Sequence, residues 1–235
     1  MTVNETTLIM AYYRNPTMME RHYKLWTNLD STIKEALKVI IVDDGSPEGQ
    51  RTPLPPAGFD IPVSIYRMLV DIRWNQDACR NLGVAKAETP WVLLTDMDHL
   101  VTEKLLQRLM FSTCDPRIAY RFSRVSAPGL EPYKLHPNSW FMTRKLYDRI
   151  GGYDERFAGW YGTDGDFRDR LTEKSGIVQI KEYLIRVPRE VVPDASTTVY
   201  ERKTEIDGEN IKRIKKERGP KFKPLRQNFP YEQVL

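Results

Sequence analysis

Two aspartates follow the most apolar segment of the chain at a spacing of two residues. Residues 91–94 are apolar or aromatic, and Asp96 and Asp98 come shortly after them. Such a run is typical of a short buried strand, whose end would bring both carboxylates to one edge of a sheet. Two carboxylates this close repel each other unless water or a cation lies between them. Because oxygen ligands suit Mg²⁺ or Mn²⁺, the spacing predicts a metal–phosphate site, although a strand-end turn also favours Asp.

Two more pairs of aspartates stand at predicted loop positions, namely Asp43-Asp44 and Asp164/Asp166. The first pair ends a β-branched run at 38–42, and the second flanks Gly165 ahead of a helical segment. In a parallel sheet, the pair at 43–44 shares an edge with the pair at 96–98, and that edge is where open α/β sheets bind ligands. One carboxylate there can hold a ribose hydroxyl or a base N–H while the other pair holds the metal on a diphosphate.

Arg80 precedes this edge on a helical segment and is expected either to contact phosphate or to orient the aspartates. The sequence contains neither of the glycine-rich motifs that cradle phosphates, Gly-x-Gly-x-x-Gly and Gly-x-x-x-x-Gly-Lys. A diphosphate must therefore be neutralised mainly by the metal. This argues against a dinucleotide oxidoreductase and against a P-loop NTPase.

Strand and helix patterns alternate along the first 110 residues, which predicts right-handed βαβ units and a parallel sheet. Strand patterns occupy residues 7–13, 38–42, 63–68, 91–94, 118–122, 139–142, 177–180 and 183–187. Helical patterns occupy residues 16–29, 75–86, 102–110, 144–150, 166–174 and 206–218. Prolines predict a loop over 48–62 and an extended tail from residue 219 onward.

The bulk properties are those of a soluble protein. The chain has 235 residues, a mean hydropathy of −0.54 and a net charge of +4, and no apolar run approaches the ~18 residues of a membrane span. We expect a cytoplasmic protein with no transmembrane segment, whose two cysteines, Cys79 and Cys114, are reduced. Residues 212–226 contain eight Lys or Arg and one Glu. This basic segment suggests contact with DNA or an anionic membrane, although a solvated helix has the same composition.

Five motifs occur in the order seen in GT-A glycosyltransferases of family 2. They are VIIVDDGS at 39–46, CRNLG at 79–83, DMD at 96–98, GGYDERF at 151–157 and GWYGTDGDF at 159–167. The last also resembles the carboxy-terminal signature of β-1,4-galactosyltransferases. The resemblance implies one GT-A domain over 1–200, with a Rossmann-like, mostly parallel central sheet flanked by helices. Residues 1–110 would bind a nucleotide-sugar, 111–200 the acceptor, and 201–235 would form a basic helix and tail.

The resemblance also implies metal-dependent, inverting transfer from a nucleoside-diphosphate sugar, most simply a UDP-sugar, with Asp164 as the catalytic base. The expected metal is Mn²⁺ or Mg²⁺, bound by Asp98 and Asp96. The residues expected at the donor are Ala11, Tyr12, Arg14, Asp43, Arg80, Asp96 and Met97. Those expected at the acceptor are Trp160, Tyr161, Thr163, Asp166 and His136.

Two departures from the family pattern affect the site. The family usually has Glu before the catalytic Asp, where this chain has Thr163. A third metal ligand, commonly a His after the base, is missing, because the three histidines (His22, His99 and His136) all precede Asp164. Asp194 is the candidate to replace it. His99 is a candidate to orient the metal aspartates.

Several functions remain open at this stage. The basic tail suggests a hydroxymethylated DNA base as the acceptor, and the other acceptors are a saccharide, a lipid-linked sugar and a protein side chain. A nucleotidyltransferase also uses paired acids with Mg²⁺, but it is expected to have a Gly/Arg/Lys-rich phosphate loop near the N-terminus, unlike residues 11–14. An inactive nucleotide-sugar-binding module is the third hypothesis.

Overall fold

The structure is a computed structural model that describes residues 3–196, 208–218, 223–224 and 226–235. Its strands are β1 (Thr6–Tyr12), β2 (Leu37–Asp43), β3 (Val63–Met68), β4 (Trp91–Asp96), β5 (His99–Val101), β6 (Ile118–Ser126), β7 (Glu131–Tyr133), β8 (Trp140–Thr143), β9 (Gly176–Arg186) and β10 (Tyr231–Gln233). Its helices are α1 (Pro16–Thr27), α2 (Ser31–Ala36), α3 (Gln76–Lys86), α4 (Glu103–Met110), α5 (Arg144–Ile150), α6 (Asp164–Lys174) and α7 (Gly208–Glu217). No helix within these ranges is long and apolar enough to cross a membrane.

The strands form one sheet in the order β10-β3-β2-β1-β4-β8-β6-β9-β5, with β7 paired to β6. The four strands β3, β2, β1 and β4 run parallel, as the alternating pattern predicts, and β8 joins β4 antiparallel. Helices cover both faces, which confirms the predicted α/β fold. In the parallel register Tyr12 lies opposite Asp43, and Ala11 lies opposite Asp96. The strand ends that carry the acidic motifs therefore meet at one edge of the sheet.

The central strands are buried on both faces because their alternate side chains enter two different cores. In β1, Leu8 and Met10 belong to a core with Trp26 of α1. The residue between them, Ile9, belongs to a second core with helices α3, α5 and α6. Continuous apolar strands of this kind are expected when helices cover both faces of a parallel sheet. This packing fixes each central strand along its own axis, and so fixes the position of the acidic residues at the carboxyl ends of the strands.

The second half of the chain differs from its predicted pattern at several points, among them strand β7, which no strand pattern predicted. Residues 176–186 form one strand rather than two, and its pairing with β6 shifts register between Phe122 and Ser123, so that Lys181 and Glu182 are extra residues. A bulge of this kind interrupts the side-chain alternation without ending the strand. The prediction of an extended, unpaired tail is also wrong at 231–233, which pair antiparallel with the edge strand β3. Pro230 precedes that strand, so it removes no hydrogen bond within it.

The basic segment at 212–226 is partly attached to the domain. Arg218 donates hydrogen bonds to Asp154 and Asp166, and Arg226 donates to the carbonyl of Tyr153. The alternative of a solvated helix therefore does not hold for Arg218 and Arg226, whose charged groups bind other parts of the domain. The remainder of the predicted helix at 206–207 and of the tail at 219–222 and 225 lies outside the described residues.

Gly83 allows helix α3 to lie directly on strand β1, and its replacement by Ala should destabilise the fold. A Cβ atom at this position would lie 2.3 Å from Cγ2 of Ile9, which is fully buried. Overpacking of this kind costs about 1–3 kcal/mol, partly offset by the ~1 kcal/mol better helix propensity of Ala. We expect Gly83→Ala to lower the free energy of unfolding, measured with urea, by up to about 2 kcal/mol.

Gly49→Ala is the matched control, since nothing lies within 4 Å of the Cβ that it would add. We expect it to change the unfolding free energy by less than about 0.5 kcal/mol. Equal stability of the two variants would show that α3 does not need this close approach.

Candidate active site

A cleft opens at the carboxyl ends of β1 and β4. Eight of the residues that line it are ones the sequence predicts for a site: Ala11, Tyr12, Asp96, Met97, Asp98, His136, Tyr161 and Asp164. Eight more were missed: Tyr13, Asn15, Asp44, Trp74, Gln76, Asn138, Ala195 and Ser196. Most of the missed residues lie in loops, where single-sequence patterns carry little information about which side chains converge.

Asp96 lies between two cationic or polar partners at the floor of this cleft. Arg80 donates to its Oδ1 atom at 2.5 Å, and Nε2 of His136 lies 3.3 Å from its Oδ2 atom. Burial raises the pKa of the Asp96 carboxyl, but Arg80 and His136 outweigh this effect and hold the pKa well below its usual range. The sequence left two roles open for Arg80, contact with phosphate and orientation of the aspartates. The structure shows the second, because Arg80 holds Asp96. Its guanidinium is fully buried beneath the cleft.

Asp98 is held by a histidine that is itself held by an arginine. Nδ1 of His99 lies 2.6 Å from Asp98, and Arg124 is 2.9 Å from Nε2 of the same ring. Because a guanidinium can only donate, Nε2 is the acceptor and the ring proton resides on Nδ1, facing the carboxylate. Burial lowers the pKa of His99, so the ring stays neutral. This arrangement fixes the direction of the Asp98 side chain, as the sequence predicted for His99.

The turn between these two aspartates is anchored from below by helix α1. Nε2 of His22 lies 2.8 Å from the carbonyl oxygen of Met97 and donates to it. His22 is fully buried, and burial lowers its pKa to about 4. The neutral ring thus fixes the backbone that carries both acids.

At the end of β2, two neighbouring aspartates have different surroundings. Asp43 is fully buried, and its carboxylate accepts hydrogen bonds from the backbone of Ser46 and from the backbone and hydroxyl of Thr52. Its side chain therefore shapes the loop, and Asp44 is the residue that lines the cleft. Arg14, another predicted donor residue, donates its Nε–H to Gln50. Asp43 and Arg14 were both expected at the donor, and neither is among the residues that line the cleft.

Asp164 is the first residue of α6 and faces the cleft. The amide of Asn138 donates to its Oδ1 atom at 2.7 Å. The helix N-terminus also favours the ionised carboxylate. Thr163, which precedes it, donates its hydroxyl to Asp77 at 3.3 Å, and burial raises the pKa of Asp77 to about 7. Thr163 is therefore directed toward α3.

Two predicted acceptor residues lie elsewhere. Asp166 is buried and forms ion pairs with Arg170 and Arg218, so it holds α7 rather than a ligand. The indole of Trp160 lies beside Phe157, with ring centroids 6.5 Å apart. Tyr161 and Trp74 line the cleft in its place, along with Tyr12 and Tyr13, and the ring centroids of Tyr161 and Trp74 are 4.7 Å apart. Trp74 has a φ of 53°, in the left-handed region that favours glycine.

Asp194 is the residue expected to complete the metal site, and the structure gives it a different role. Its two carboxylate oxygens accept the backbone N–H groups of Thr17 and Met18, at 2.7 and 3.0 Å. These are donors at the N-terminus of α1 that the helix itself cannot satisfy, so Asp194 caps this helix from a distant segment.

The remaining donor set fits a hard divalent cation. Asp96 and Asp98 each expose a quarter of their side chains at the cleft. Within the described ranges, no three His, Cys, Asp or Glu side chains form a complete metal-binding group. Two carboxylates from the protein, with the other positions taken by phosphate and water, are the usual way in which Mg²⁺ is bound at phosphate sites.

Comparisons with known proteins identify the family and the fold. The family model described as Glycosyl transferase family 2 matches residues 7–167. A search of the curated proteins gives no match. The fold is similar to that of TarS 1–349 from S. aureus in complex with UDP-GlcNAc, with a TM-score of 0.66 and 14% identity over 83% of this chain and 62% of that one.

Two other solved structures share the fold. The mannosyltransferase PcManGT from Pyrobaculum calidifontis, in complex with GDP-Man and Mn²⁺, has a TM-score of 0.58 and 16% identity over 77% of this chain. GalNAc-T7 with UDP, GalNAc and Mn²⁺ has a TM-score of 0.59 and 10% identity over 79% of this chain. This chain spans 56% of the first protein and 44% of the second.

Because burial lowers the pKa of His22 from 6.5 to about 4, this residue should make the protein sensitive to acid. The unfolded state binds more protons between these two values, so stability is lost as the pH falls through that window. The full loss is about 3 kcal/mol. We expect His22→Gln, which keeps an N–H donor for Met97, to flatten the fall in unfolding free energy between pH 6.5 and 4. Urea unfolding at several pH values gives the free energy of unfolding of both proteins. Parallel plots of that free energy against pH would contradict the prediction.

Proposed function

The chain belongs to glycosyl transferase family 2, and on this premise we propose that it is a metal-dependent, inverting enzyme. It moves a sugar from a nucleoside-diphosphate donor to an acceptor hydroxyl. One observation carries the proposal: Asp96, Asp98 and Asp164, the last at the first turn of a helix, line the same cleft. Such an arrangement suits both a leaving diphosphate with its metal and a carboxylate that accepts a proton.

The donor nucleotide is assigned to the side of the cleft formed by β1 and β2. Ala11 and Tyr12 line it at the end of β1, and Asp44 lines it at the end of β2. A carboxylate at a strand end can bind a ribose hydroxyl or a base N–H. Asp44 therefore takes the role that the sequence assigned to Asp43. UDP is the proposed nucleotide, since two of the three similar structures hold a uridine nucleotide.

The metal is proposed to be Mn²⁺ or Mg²⁺, held by Asp98 with Asp96 beside it. When bound, such an ion neutralises charge on the diphosphate as it leaves. His99 and Arg80 hold the two carboxylates in place. The protein therefore supplies fixed oxygen ligands, which need little rearrangement when the ion and the diphosphate arrive.

Asp164 is the proposed general base. It removes the proton of the acceptor hydroxyl, and the oxygen attacks the anomeric carbon from the face opposite the diphosphate. As the new bond forms, the bond from the anomeric carbon to the diphosphate oxygen breaks, and the configuration inverts. This step requires the ionised form of the carboxylate.

A saccharide is the proposed acceptor. Trp74 and Tyr161 together present aromatic surface beside Asp164, and such rings pack well against the apolar faces of sugars. The resemblance of residues 159–167 to the β-1,4-galactosyltransferase signature agrees with this assignment. A DNA base is less well supported, because Arg218 and Arg226 of the basic segment are bound to the domain itself. The joint presence of Asp98 and Asp164 at the cleft disfavours an inactive module.

The donor assignment predicts metal-dependent stabilisation by one nucleoside diphosphate. At a concentration of about 100 Kd, a ligand adds ~2.7 kcal/mol, which raises the melting temperature of a chain this size by about 5–10 °C. We expect UDP with Mn²⁺ to give this shift, and Asp98→Asn to abolish it. Asp164→Asn should keep the shift but slow nucleotide release from the sugar donor by about 10²–10⁴-fold.

Asp60→Asn serves as the control for both measurements, because Asp60 is an exposed partner of Lys34 on the surface. It should keep the nucleotide shift and the rate of release. A shift that survives in Asp98→Asn, or full turnover in Asp164→Asn, would contradict the assigned roles.

The acceptor assignment predicts that Trp74 matters more than Trp160. Loss of one stacked ring costs about 1–1.5 kcal/mol, so Trp74→Ala should raise the KM for a saccharide acceptor about tenfold. Trp74→Phe should recover most of this loss, and Trp160→Ala should change the acceptor KM little. Initial rates at varied acceptor concentration give the KM of each variant. An unchanged KM in Trp74→Ala would show that Trp74 does not bind the acceptor.

A further inference from the structure

Asn138 is a buried amide that contacts the carboxylate assigned as the base. Its side chain is 1% exposed, yet it reaches the cleft, and its Nδ2 atom donates to Oδ1 of Asp164 at 2.7 Å. Hydrogen bonds to an ionised carboxylate are about twice as strong as those between neutral groups. A donor on Oδ1 fixes the plane of the carboxyl group and directs Oδ2 toward a second partner.

Asn138 is itself held on both sides. The hydroxyl of Tyr153 lies 3.3 Å from its Oδ1 atom, which accepts that hydrogen bond and so leaves the NH₂ group turned toward Asp164. The turn that carries Asn138 is closed by the indole of Trp140, which donates to the carbonyl of Pro137 at 2.7 Å. Because both ends of the amide have partners, its orientation is determined by the network.

Tyr153 is fixed by the helix that begins with the base. Its ring stacks on Phe167 of α6, with centroids 4.3 Å apart and an interplanar angle of 15°. Burial raises the pKa of Tyr153 well above its usual value, so the hydroxyl keeps its proton and donates. The guanidinium of Arg80 lies 5.0 Å from the centre of the same ring. The position of the amide is therefore tied to the elements on both sides of the cleft.

Two further charged groups act on Asp164 from helix α3. These are Arg80, whose positive charge favours the ionised carboxylate, and Asp77, whose carboxyl disfavours it when it is ionised. On α6 itself, Asp166 is neutralised by Arg170 and Arg218. Asn138 differs from these groups because it touches the base directly.

We propose that Asn138 is a positioning residue for the base. It holds Oδ1 of Asp164 so that Oδ2 points at the acceptor hydroxyl, and it favours the ionised form of the carboxylate. This inference rests on the proposed function, in which Asp164 accepts the proton of the acceptor. It extends that function by naming the group that sets the direction and the basicity of the catalytic carboxylate.

The test compares Asn138→Ala and Asn138→Asp with the wild-type chain. The first change removes the donor, and the second replaces it with an acid of the same shape. Both remove a hydrogen bond to the charged form of Asp164, so both should favour its protonated form relative to the wild-type chain. The effect should be larger in Asn138→Asp, where two carboxyl groups face each other.

The first readout is the pH dependence of kcat for nucleoside-diphosphate release with Mn²⁺. A base must be ionised to act, so a higher pKa moves the acidic limb of the profile to higher pH. We expect kcat at neutral pH to fall by about 10–100-fold in Asn138→Ala, since a misdirected group loses that much. Asn138→Asp should regain rate as the pH rises. Donor binding, measured by thermal shift, should remain unchanged.

The second readout does not depend on turnover. In protein labelled at the aspartate carboxyl carbon with ¹³C, the Asp164 resonance, assigned with Asp164→Asn, reports the pKa of that group directly. We expect it to move upward in both Asn138 variants. If wild type released no nucleotide from any donor, the proposed function would fail, while an unmoved Asp164 pKa would overturn the present inference.

Asn4→Ala is the matched control for a merely structural role. Asn4 is also a buried amide, and it donates to the carbonyls of Leu109 and Ser112, at 2.7 and 2.9 Å, away from the cleft. Its loss should lower the melting temperature and leave the pH profile of kcat in place. If the Asn138 variants behaved in the same way, with lower stability and an unmoved acidic limb, Asn138 would have no positioning role.

Discussion

The buried guanidinium of Arg80 is the interaction on which the geometry of the cleft depends. A fully buried cation is costly unless it is paired, and Arg80 is paired with Asp77 on its own helix and with Asp96 at the end of β4. This requirement fixes helix α3 against the strand that ends in the metal aspartates. The helix can come this close because Gly83, one turn further along, places no side chain against β1. Packing at Gly83 and charge pairing at Arg80 therefore place helix α3 at the same position on the sheet.

The network around Arg80 also connects the two ends of the cleft. Asp77 accepts the hydroxyl of Thr163, next to the base, and the ring of Tyr153 stands between Arg80 and Asn138. In related enzymes the position of Thr163 usually carries an acid, and here a carboxyl comes close to that position from α3 instead. Because the contacts are between buried groups, removal of any member leaves a polar atom without its partner. The site is therefore held as a unit rather than as separate residues.

Sequence patterns predicted the features that depend on neighbouring residues in the chain. Strands β1, β2 and β4 are continuous apolar runs, and their parallel order brings Asp96 and Asp98 to the predicted edge. The patterns failed where the outcome depended on distant partners. They could not decide between Asp43 and Asp44, because the choice is made by loop donors at Ser46 and Thr52. They also missed Asn138 and Trp74, which reach the cleft from loops that only the folded chain brings together.

The groups around Asp96 and Asp98 balance the charges of these two carboxylates to different extents. Asp96 already has a permanent cation, Arg80, as a close partner, so its negative charge is largely balanced before any metal arrives. Among the described residues, the ion-pair partner of Asp98 is His99, whose ring accepts a hydrogen bond from Arg124 and keeps its single proton on the side of the carboxylate. The charge of Asp98 is thus oriented but not cancelled. A divalent ion gains more from an uncompensated carboxylate than from a paired one. Under the proposed function, Asp98 would therefore be the stronger direct ligand, while Asp96 is held in place by the buried arginine.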